Sequence, residues 1–188
     1  MRALSLCEVW WLVSPGNPLK PRAGMAPLAA RFASALGQAR RAPIRVTAIE
    51  RDLQTIYTVD TLRRLIRRFP GRRFVWLMGA DNLAQFHRWR DWRKIAALVP
   101  IAVATRPGYD GLALKASVWG WLRRFVRPAA TARNWTTWRP PALVLLSLPP
   151  DPMSATAIRA ANPDWHESPG KSFHPKAVRD GVTRRPIS

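Results

Sequence analysis

The stretch FVWLMGAD, Phe74–Asp81, decides the fold. Its first five residues are all apolar, and Gly79 follows them directly. An uninterrupted apolar run of this length is typical of a parallel strand that is buried on both faces. A glycine behind such a strand lets the backbone approach a ligand closely. The stretch therefore predicts a central parallel strand over Phe74–Met78, with a ligand-binding turn at its carboxyl end.

Helix and strand patterns alternate on both sides of this run. Before it, Thr58–Phe69 has apolar residues on one helical face and arginines on the other, and Thr58 is placed to cap that helix. The other predicted elements are strands at Val9–Val13, Ile44–Ile49, Ile101–Ala104 and Ala142–Leu148, and helices at Pro27–Gln38, Trp92–Leu98, Leu112–Arg124 and Ser154–Ala161. The alternation predicts an α/β fold with a mostly parallel sheet.

Length and composition bound the organisation of the chain. Its 188 residues suit one domain over residues 1–161, followed by a proline-containing tail over residues 162–188 that is expected to be partly irregular. No apolar window of about 18 residues is present, so no membrane partner is expected. The single cysteine, Cys7, excludes an internal disulfide, and the prediction is a cytoplasmic protein.

The charge balance favours anionic ligands. Thirty-one Lys and Arg residues face eleven Asp and Glu residues, which gives a formal net charge of +20. A basic protein of this kind attracts nucleotides, nucleic acids or acidic surfaces. The arginines are spread along the chain rather than massed in one tail, so an arginine-rich solvated surface explains them equally well.

Two segments carry the chemistry. Ser154–Arg159 offers two hydroxyls and an arginine at the predicted start of a helix, where backbone N–H groups and the helix dipole bind phosphate. In the segment Gly79–Trp89, the carboxylate of Asp81 can accept hydrogen bonds from a ribose, and the indole of Trp89 can stack on a flat ring. A capped helix with a surface arginine, and a packed tryptophan, are the plain structural interpretations of the same residues.

Taken together, five motifs resemble those of the bacterial nicotinate-nucleotide adenylyltransferases. They occur in the order and at the spacing of that family, and the resemblance extends over Val9–Ala161. The motifs are PGNPLK (Pro15–Lys20), IYTVDTL (Ile56–Leu62), MGADNLAQFHRW (Met78–Trp89), TRPGY (Thr105–Tyr109) and SATAIR (Ser154–Arg159).

The resemblance implies a fold, a reaction and a set of site residues. The fold is a Rossmann-like nucleotidyltransferase fold, and the reaction joins nicotinate mononucleotide to ATP with Mg²⁺, giving deamido-NAD and pyrophosphate. No protein metal ligand is implied, and homo-oligomer formation is left open. By resemblance, the residues that bind nicotinate mononucleotide are Asn17, Tyr57, Thr58 and Trp89; those that bind ATP are Gly79, Asp81, Arg106, Ser154, Thr156 and Arg159; and the catalytic groups are Lys20 and Arg159.

One motif of that family is missing. A glycine-rich turn followed by His-x-Gly-His is expected after the first strand, but the only histidines are His87, His166 and His174. The strand at Val9–Val13 then corresponds to the second strand of the family, so the first βα unit is largely missing. We expect on the order of 20–30 residues to precede Met1, because of a late start codon or because the chain is a fragment. This polypeptide is then expected to be less stable and less active than its family.

Two other functions remain as alternatives. The first is a related nucleotidyltransferase that uses nicotinamide mononucleotide or phosphopantetheine, because the residues do not distinguish an acid from an amide. The second is a non-catalytic nucleic-acid-binding module, in which aromatic side chains in a basic groove stack on bases. Nucleic acid is the less favoured partner, because most tryptophans lie in apolar runs that are typical of packed side chains.

Overall fold

The computed structural model describes residues 1–16, 25–39, 43–105, 111, 115–147 and 178–187. They form two compact units. The two-strand unit contains the described residues of 6–56 together with 178–187, and the three-strand unit contains residues 1–5 and the described residues of 57–147. The predicted domain boundary at residue 161 lies outside the described residues.

The two-strand unit begins with strand β1 (Val9–Leu12), helix α1 (Leu28–Ala39) and strand β2 (Ile44–Thr47). The strands are parallel, and Val9 pairs with Ile44. Helix α1 packs on them through Phe32, which is fully buried. This βαβ arrangement confirms the predicted order of strand, helix and strand, because a parallel pair needs a crossover connection.

Helix α2 (Ile49–Asp52) corrects one prediction. Ile49 was predicted to end the strand that begins at Ile44, but the strand ends at Thr47. The hydroxyl of Thr47 accepts a hydrogen bond from the N–H of Ile49 at 3.1 Å, which turns the chain out of the strand. Alternation of apolar and polar residues does not reveal such a local hydrogen bond.

The loop that follows β1 is anchored by Arg31 of α1. Its guanidinium donates hydrogen bonds to the carbonyl oxygens of Ser14, at 2.5 Å, and Ala26, at 2.9 Å. Burial lowers the pKa of Arg31 from its ordinary value. An arginine remains charged at neutral pH even so, because the ordinary pKa of a guanidinium lies far above neutral.

The three-strand unit is built on a parallel sheet of β3 (Trp76–Gly79), β4 (Ile101–Thr105) and β5 (Leu143–Ser147), in that order. Trp76 pairs with Ile101, and Ile101 pairs with Leu143. The apolar run that predicted β3 does form a parallel strand, shifted to Trp76–Gly79. Among the described strands β3 pairs only with β4, so it lies at an edge of this sheet and not at its centre as predicted.

In the described part of this unit lie the helices α3 (Thr58–Arg68), α4 (Ala80–Gln85), α5 (Trp92–Leu98) and α6 (Trp119–Leu122). The N-cap of α3 is Tyr57, and Thr58 is its first helical residue, which corrects the predicted cap. Helix α5 has the predicted bounds. A longer helix was predicted over Leu112–Arg124. In the described part of that range the α-helix is the short α6, and a 3₁₀ turn at Arg123–Phe125 follows it.

The amphipathic face of α3 reaches the core through Val59, Leu62 and Leu65, which are all at most 3% exposed. Val59 and Leu62 join a buried cluster that includes Phe86 and Ile101. The arginines on the other face of α3 remain at the surface. None of the helices in the described ranges is both long and apolar enough to cross a bilayer.

Candidate active site

The described site residues lie where the strands and helices of the three-strand unit begin or end. Gly79 ends β3, and Asp81 lies in the first turn of α4. Tyr57 and Thr58 begin α3, whose chain leads into β3. In an α/β unit a helix runs opposite to the strand that follows it, so the start of α3 lies toward the carboxyl edge of the sheet. Ligands bind at that edge in open α/β sheets.

Gly79 allows Asp81 to fold back against the end of β3. A Cβ atom at position 79 would clash with the Oδ1 atom of Asp81. The backbone of Gly79 is extended, with φ −80° and ψ 164°, so glycine is required here for space and not for a left-handed conformation. The exposed carboxylate of Asp81 is therefore held over the turn, where a sugar hydroxyl can donate to it.

Trp89 is half-buried and is held by two aromatic side chains. Its ring contacts that of Phe86 edge to face, with centroids 5.4 Å apart, and that of Trp76, with centroids 6.2 Å apart. Phe86 is itself fully buried and also contacts Trp92 at 5.8 Å. Aromatic pairs of this geometry fix the orientation of a ring. Trp89 is thus a rigid, partly accessible surface on which a planar ring can stack.

Tyr57 is fixed at the start of α3 by its backbone and its ring. Its carbonyl oxygen accepts hydrogen bonds from the N–H groups of Asp60 and Thr61, both at 3.0 Å. The guanidinium carbon of Arg90 lies over the Tyr57 ring, 4.6 Å from the centroid. The first N–H groups of a helix have no carbonyl partner within it, so the backbone beside Tyr57 can donate to a ligand.

Sequence reasoning missed Arg90 and Phe86. Arg90 follows Trp89 directly, but its contact with Tyr57 joins two segments that are distant in the chain, and no sequence pattern indicates it. Phe86 lies three residues before Trp89, a spacing at which helical side chains meet, and that spacing was the available signal. His87 is exposed.

The other predicted site residues lie outside the described part of the chain. They are the residues expected to contact phosphates or to lie beside them: Asn17, Lys20, Arg106, Ser154, Thr156 and Arg159. The predicted site residues that the structure describes all lie in the three-strand unit: Gly79, Asp81, Tyr57, Thr58 and Trp89.

Comparison with known proteins identifies the class of this fold and site. Residues 2–161 match the model of the family described as cytidylyltransferase-like. That match includes the strands of both units and every described site residue, and it agrees with the parallel α/β architecture. The class is that of the Rossmann-like nucleotidyltransferases.

The names of individual relatives identify a narrower family within this class. The chain is 58% identical to a protein of Erythrobacter litoralis named "Probable nicotinate-nucleotide adenylyltransferase", over the whole chain and 84% of the relative. It is 50% identical to proteins of the same name from Cereibacter sphaeroides and Parvibaculum lavamentivorans, over 85% of the chain and 84% and 79% of the relatives. The chain belongs to the cytidylyltransferase-like family and, within it, to the nicotinate-nucleotide adenylyltransferases.

Proposed function

We propose that this protein transfers the adenylyl group of ATP to nicotinate mononucleotide, giving deamido-NAD and pyrophosphate. The observation that carries the proposal is the identity of 58% over the whole chain with a relative that bears this enzyme's name. The geometry supports it, because an aromatic platform at Trp89 and a carboxylate turn at Gly79–Asp81 belong to the same unit.

The described residues then divide between the two substrates. Tyr57, Thr58 and Trp89 hold the pyridine ring, with Trp89 stacked on it. Asp81, folded over Gly79, accepts hydrogen bonds from the ribose of ATP. These roles need no covalent step by the protein, since binding and orientation of two reactants supply much of the rate enhancement in such transfers.

The remaining predicted residues complete the proposal on the phosphate side. In this proposal Asn17 and Lys20 serve the reacting phosphates, and Ser154, Thr156, Arg159 and Arg106 serve the phosphates of ATP. The phosphate of the mononucleotide attacks the α-phosphorus of ATP, and pyrophosphate leaves. Positive groups stabilise the charge that develops on the phosphate oxygens, which is the main task in this chemistry.

Mg²⁺ is part of the proposal as the companion of ATP. In the described part of the chain no three His, Cys, Asp or Glu side chains are grouped to hold a metal ion. Mg²⁺ is commonly bound through substrate phosphates, waters and one or two carboxylates, so these residues are compatible with it. When bound it neutralises phosphate charge, while the protein's own residues orient the two substrates.

A cytoplasmic location also belongs to the proposal. The thiol of Cys7, the single cysteine of the chain, is free and exposed, as is usual for proteins in a reducing compartment. The net charge of +20 favours the approach of both anionic substrates. Homo-oligomer formation is left open by the described residues.

The proposal is tested by measuring pyrophosphate release from Mg²⁺-ATP. We expect release only when nicotinate mononucleotide is present, together with an equal amount of deamido-NAD. Parallel assays with nicotinamide mononucleotide and with phosphopantetheine address the two related activities. Release that depends on phosphopantetheine, or no release with either mononucleotide, would contradict the proposal.

The Gly79→Ala variant tests the role of the carboxylate turn. The new Cβ must displace the carboxylate of Asp81, which is the far end of an exposed side chain, so stability should change by less than about 0.5 kcal/mol. The KM for ATP should rise about 5–10-fold, which corresponds to the binding free energy lost with one or two hydrogen bonds. Gly71→Ala is the control, because a Cβ at position 71 meets open space. An unchanged KM for ATP in Gly79→Ala would remove Asp81 from the site.

A further inference from the structure

A groove opens at the amino edge of the sheet in the three-strand unit, and we name it the amino-edge groove. Phe74 precedes β3, Pro100 precedes β4 and Pro140 precedes β5, and all three residues line it. The candidate active site, with Gly79 and Asp81, lies at the carboxyl end of β3. A strand of five residues such as β4 is roughly 16 Å long, so the groove is separate from that site.

We propose that the amino-edge groove binds a free nucleotide, with the base against Trp138 and the phosphates on Arg72 and Arg73. The cavity has a volume of about 220 Å³. Sites for drug-sized ligands measure roughly 300–1,000 Å³, so this groove has room for one ring system, while ribose and phosphates remain at the surface. The inference goes beyond the proposed function and does not depend on it.

The walls of the groove are held in place by hydrogen bonds of the protein itself. Trp135, which lines the groove and is 7% exposed, donates from its indole N–H to the carbonyl oxygen of Leu4 at 2.8 Å. The guanidinium of Arg73 donates to the carbonyl oxygen of Thr136, and it thereby joins the segment before β3 to the 3₁₀ segment Ala129–Thr137. A site that is formed before the ligand arrives loses less entropy on binding.

Trp138 provides the surface on which a base can stack. Its side chain is half-buried in the lining, whereas Trp135 is buried and Phe74 packs against the core cluster. Stacking on an aromatic ring accepts any base, because every base has a π face. A single-stranded nucleic acid would use a succession of such rings, and the lining offers one partly accessible indole. A free nucleotide is therefore the occupant that the groove fits.

The groove has positive charge for the phosphates. Arg72 and Arg73 are exposed residues of the lining, and Arg139 follows Trp138 directly. No described carboxylate belongs to the lining. In the described part of this unit the acidic residues lie at the start of α3 or after β3, toward the carboxyl edge: Asp60, Asp81 and Asp91. A phosphate at the amino-edge groove therefore meets arginines without a competing carboxylate in the lining.

Arg72 and Arg73 are suited to phosphate by their donors and their position. The bond from Arg73 to Thr136 uses one guanidinium nitrogen, and donors on the other two can bind a ligand. The fork of an arginine matches phosphate oxygens with two parallel hydrogen bonds. The arginines in the last turn of α3 complement the helix dipole, but that effect ends with the last turn, and Arg72 and Arg73 lie beyond it.

The experiment measures the Kd of GDP by titration calorimetry at physiological ionic strength. GDP is the probe because the proposed reaction uses no guanine nucleotide. Trp138→Ala should weaken binding about 5–100-fold, the effect of removing one stacking ring, and Trp138→Phe should weaken it less. Arg72→Gln should weaken it about 10–100-fold, the effect of one hydrogen bond to a charged group. Because Arg72 is exposed, this variant tests the inference even where Trp138→Ala is unstable.

Arg124→Gln is the matched control for charge. Arg124 is exposed in the 3₁₀ turn after α6 and does not line the groove. It removes the same charge as Arg72→Gln from a protein whose net charge of +20 attracts any anion, so the Kd of GDP should change less than about 2-fold. Equal weakening by Arg124→Gln and Arg72→Gln would show a general attraction of anions and overturn the inference.

Three other measurements can overturn it. Inorganic pyrophosphate should bind more weakly than GDP because it has no base, and equal affinity would remove the base from the site. A short single-stranded RNA that binds far more tightly than GDP, with a steep loss on adding salt, would assign the groove to nucleic acid. Gly79→Ala should bind GDP as the unaltered protein does, and loss of binding there would place GDP in the active site.

Absence of GDP binding to the unaltered protein at about 1 mM would also overturn the inference. None of these outcomes alters the release of pyrophosphate from Mg²⁺-ATP and nicotinate mononucleotide, which tests the proposed function. Failure of one is therefore distinguishable from failure of the other.

Discussion

The Phe86→Ala variant is expected to lower the free energy of unfolding by about 3–5 kcal/mol, the usual cost of deleting a fully buried aromatic ring. Phe86 is 0% exposed, and its ring contacts those of both Trp89 and Trp92. The deletion leaves a cavity in the cluster that joins α3, α4 and α5 to the sheet. Chemical denaturation followed by tryptophan fluorescence measures the loss.

Phe86→Leu separates stability from function. Leucine is apolar and fills most of the same space, so the free energy of unfolding should fall by only about 1–1.5 kcal/mol and the variant remains folded. Trp89 nevertheless loses the ring edge that orients it. The KM for nicotinate mononucleotide should therefore rise about 5–10-fold at a temperature where the protein is fully folded, while the KM for ATP stays unchanged.

Leu122→Ala is the control for this interpretation. Leu122 is 1% exposed and belongs to the same buried cluster, so its truncation should cost about 2–5 kcal/mol. No described ring contact of Trp89 depends on it. If both variants raise the KM for the mononucleotide equally, loss of stability and not the orientation of Trp89 is responsible.

The elements that the sequence predicts well are those in which one local pattern is decisive. Helix α5 was predicted at Trp92–Leu98 and has those bounds, because its apolar residues Trp92, Ile95 and Ala96 follow the helical spacing i, i+3, i+4. Strand β4 was predicted over Ile101–Ala104 and extends to Thr105. In both, local preference and burial agree, so no distant contact was needed to find them.

The errors arise where one hydrogen bond or one missing partner overrides the pattern. The strand predicted to reach Ile49 ends early, because the Thr47 hydroxyl accepts the N–H of Ile49. The cap predicted at Thr58 lies one residue earlier, at Tyr57, since helix ends are set by backbone geometry that sequence specifies loosely. Whether β3 lies at the centre or at an edge of its sheet depends on which strands pair beside it. Sequence periodicity does not contain that information.

The candidate site also has a part that the sequence predicted and a part that only the structure shows. Gly79 ends one strand, and Asp81 and Trp89 follow it in one contiguous motif, so their place after that strand was readable from the sequence. The reason for glycine at position 79, the folded-back carboxylate of Asp81, needed coordinates. The Arg90–Tyr57 contact depends on how α3 and the segment after α4 pack together, and that packing has no local signature.

The Asp180→Ala variant is the second large expected effect and concerns the two-strand unit. Asp180, which lies in the C-terminal tail, is 1% exposed. Four donors from the described residues bond to its carboxylate: the hydroxyl of Thr47 at 2.9 Å, and the N–H groups of Ala48 at 2.6 Å and of Val182 and Thr183 at 2.8 Å. The carboxylate thus ties residues 178–187 to the end of β2.

Close packing at Gly181 shows how tightly this contact is made. The N–H of Gly181 donates to the carbonyl oxygen of Val46 at 2.9 Å, and a Cβ atom at position 181 would lie 2.7 Å from that oxygen. Ile187, only 1% exposed, joins the core around Phe32 of α1. The C-terminal segment is therefore a part of the core of this unit, and Asp180 is its principal polar attachment.

Removal of the Asp180 carboxylate leaves the buried donors near Ala48 without an acceptor. We expect Asp180→Ala to lower the free energy of unfolding by about 3–5 kcal/mol, because the lost bonds involve a charged acceptor and leave a buried N–H group unpaired. Asp180→Asn keeps the volume and one acceptor oxygen but places an NH₂ group against a donor, so about 1–3 kcal/mol should be lost.

Amide hydrogen exchange locates the effect. In Asp180→Ala, the amides of Ala48, Val182 and Thr183 should exchange about 100-fold faster or more, since local opening no longer breaks bonds to a carboxylate. Arg179→Ala is the control, because Arg179 is exposed and its substitution should change stability by less than about 0.5 kcal/mol. Because the carboxylate binds two amides of its own turn and the amide of Ala48, directly after β2, the pattern of exchange also separates two roles. Faster exchange confined to Val182 and Thr183 would mean that Asp180 only closes its turn, whereas faster exchange at Ala48 as well would mean that it holds the C-terminal segment against the sheet.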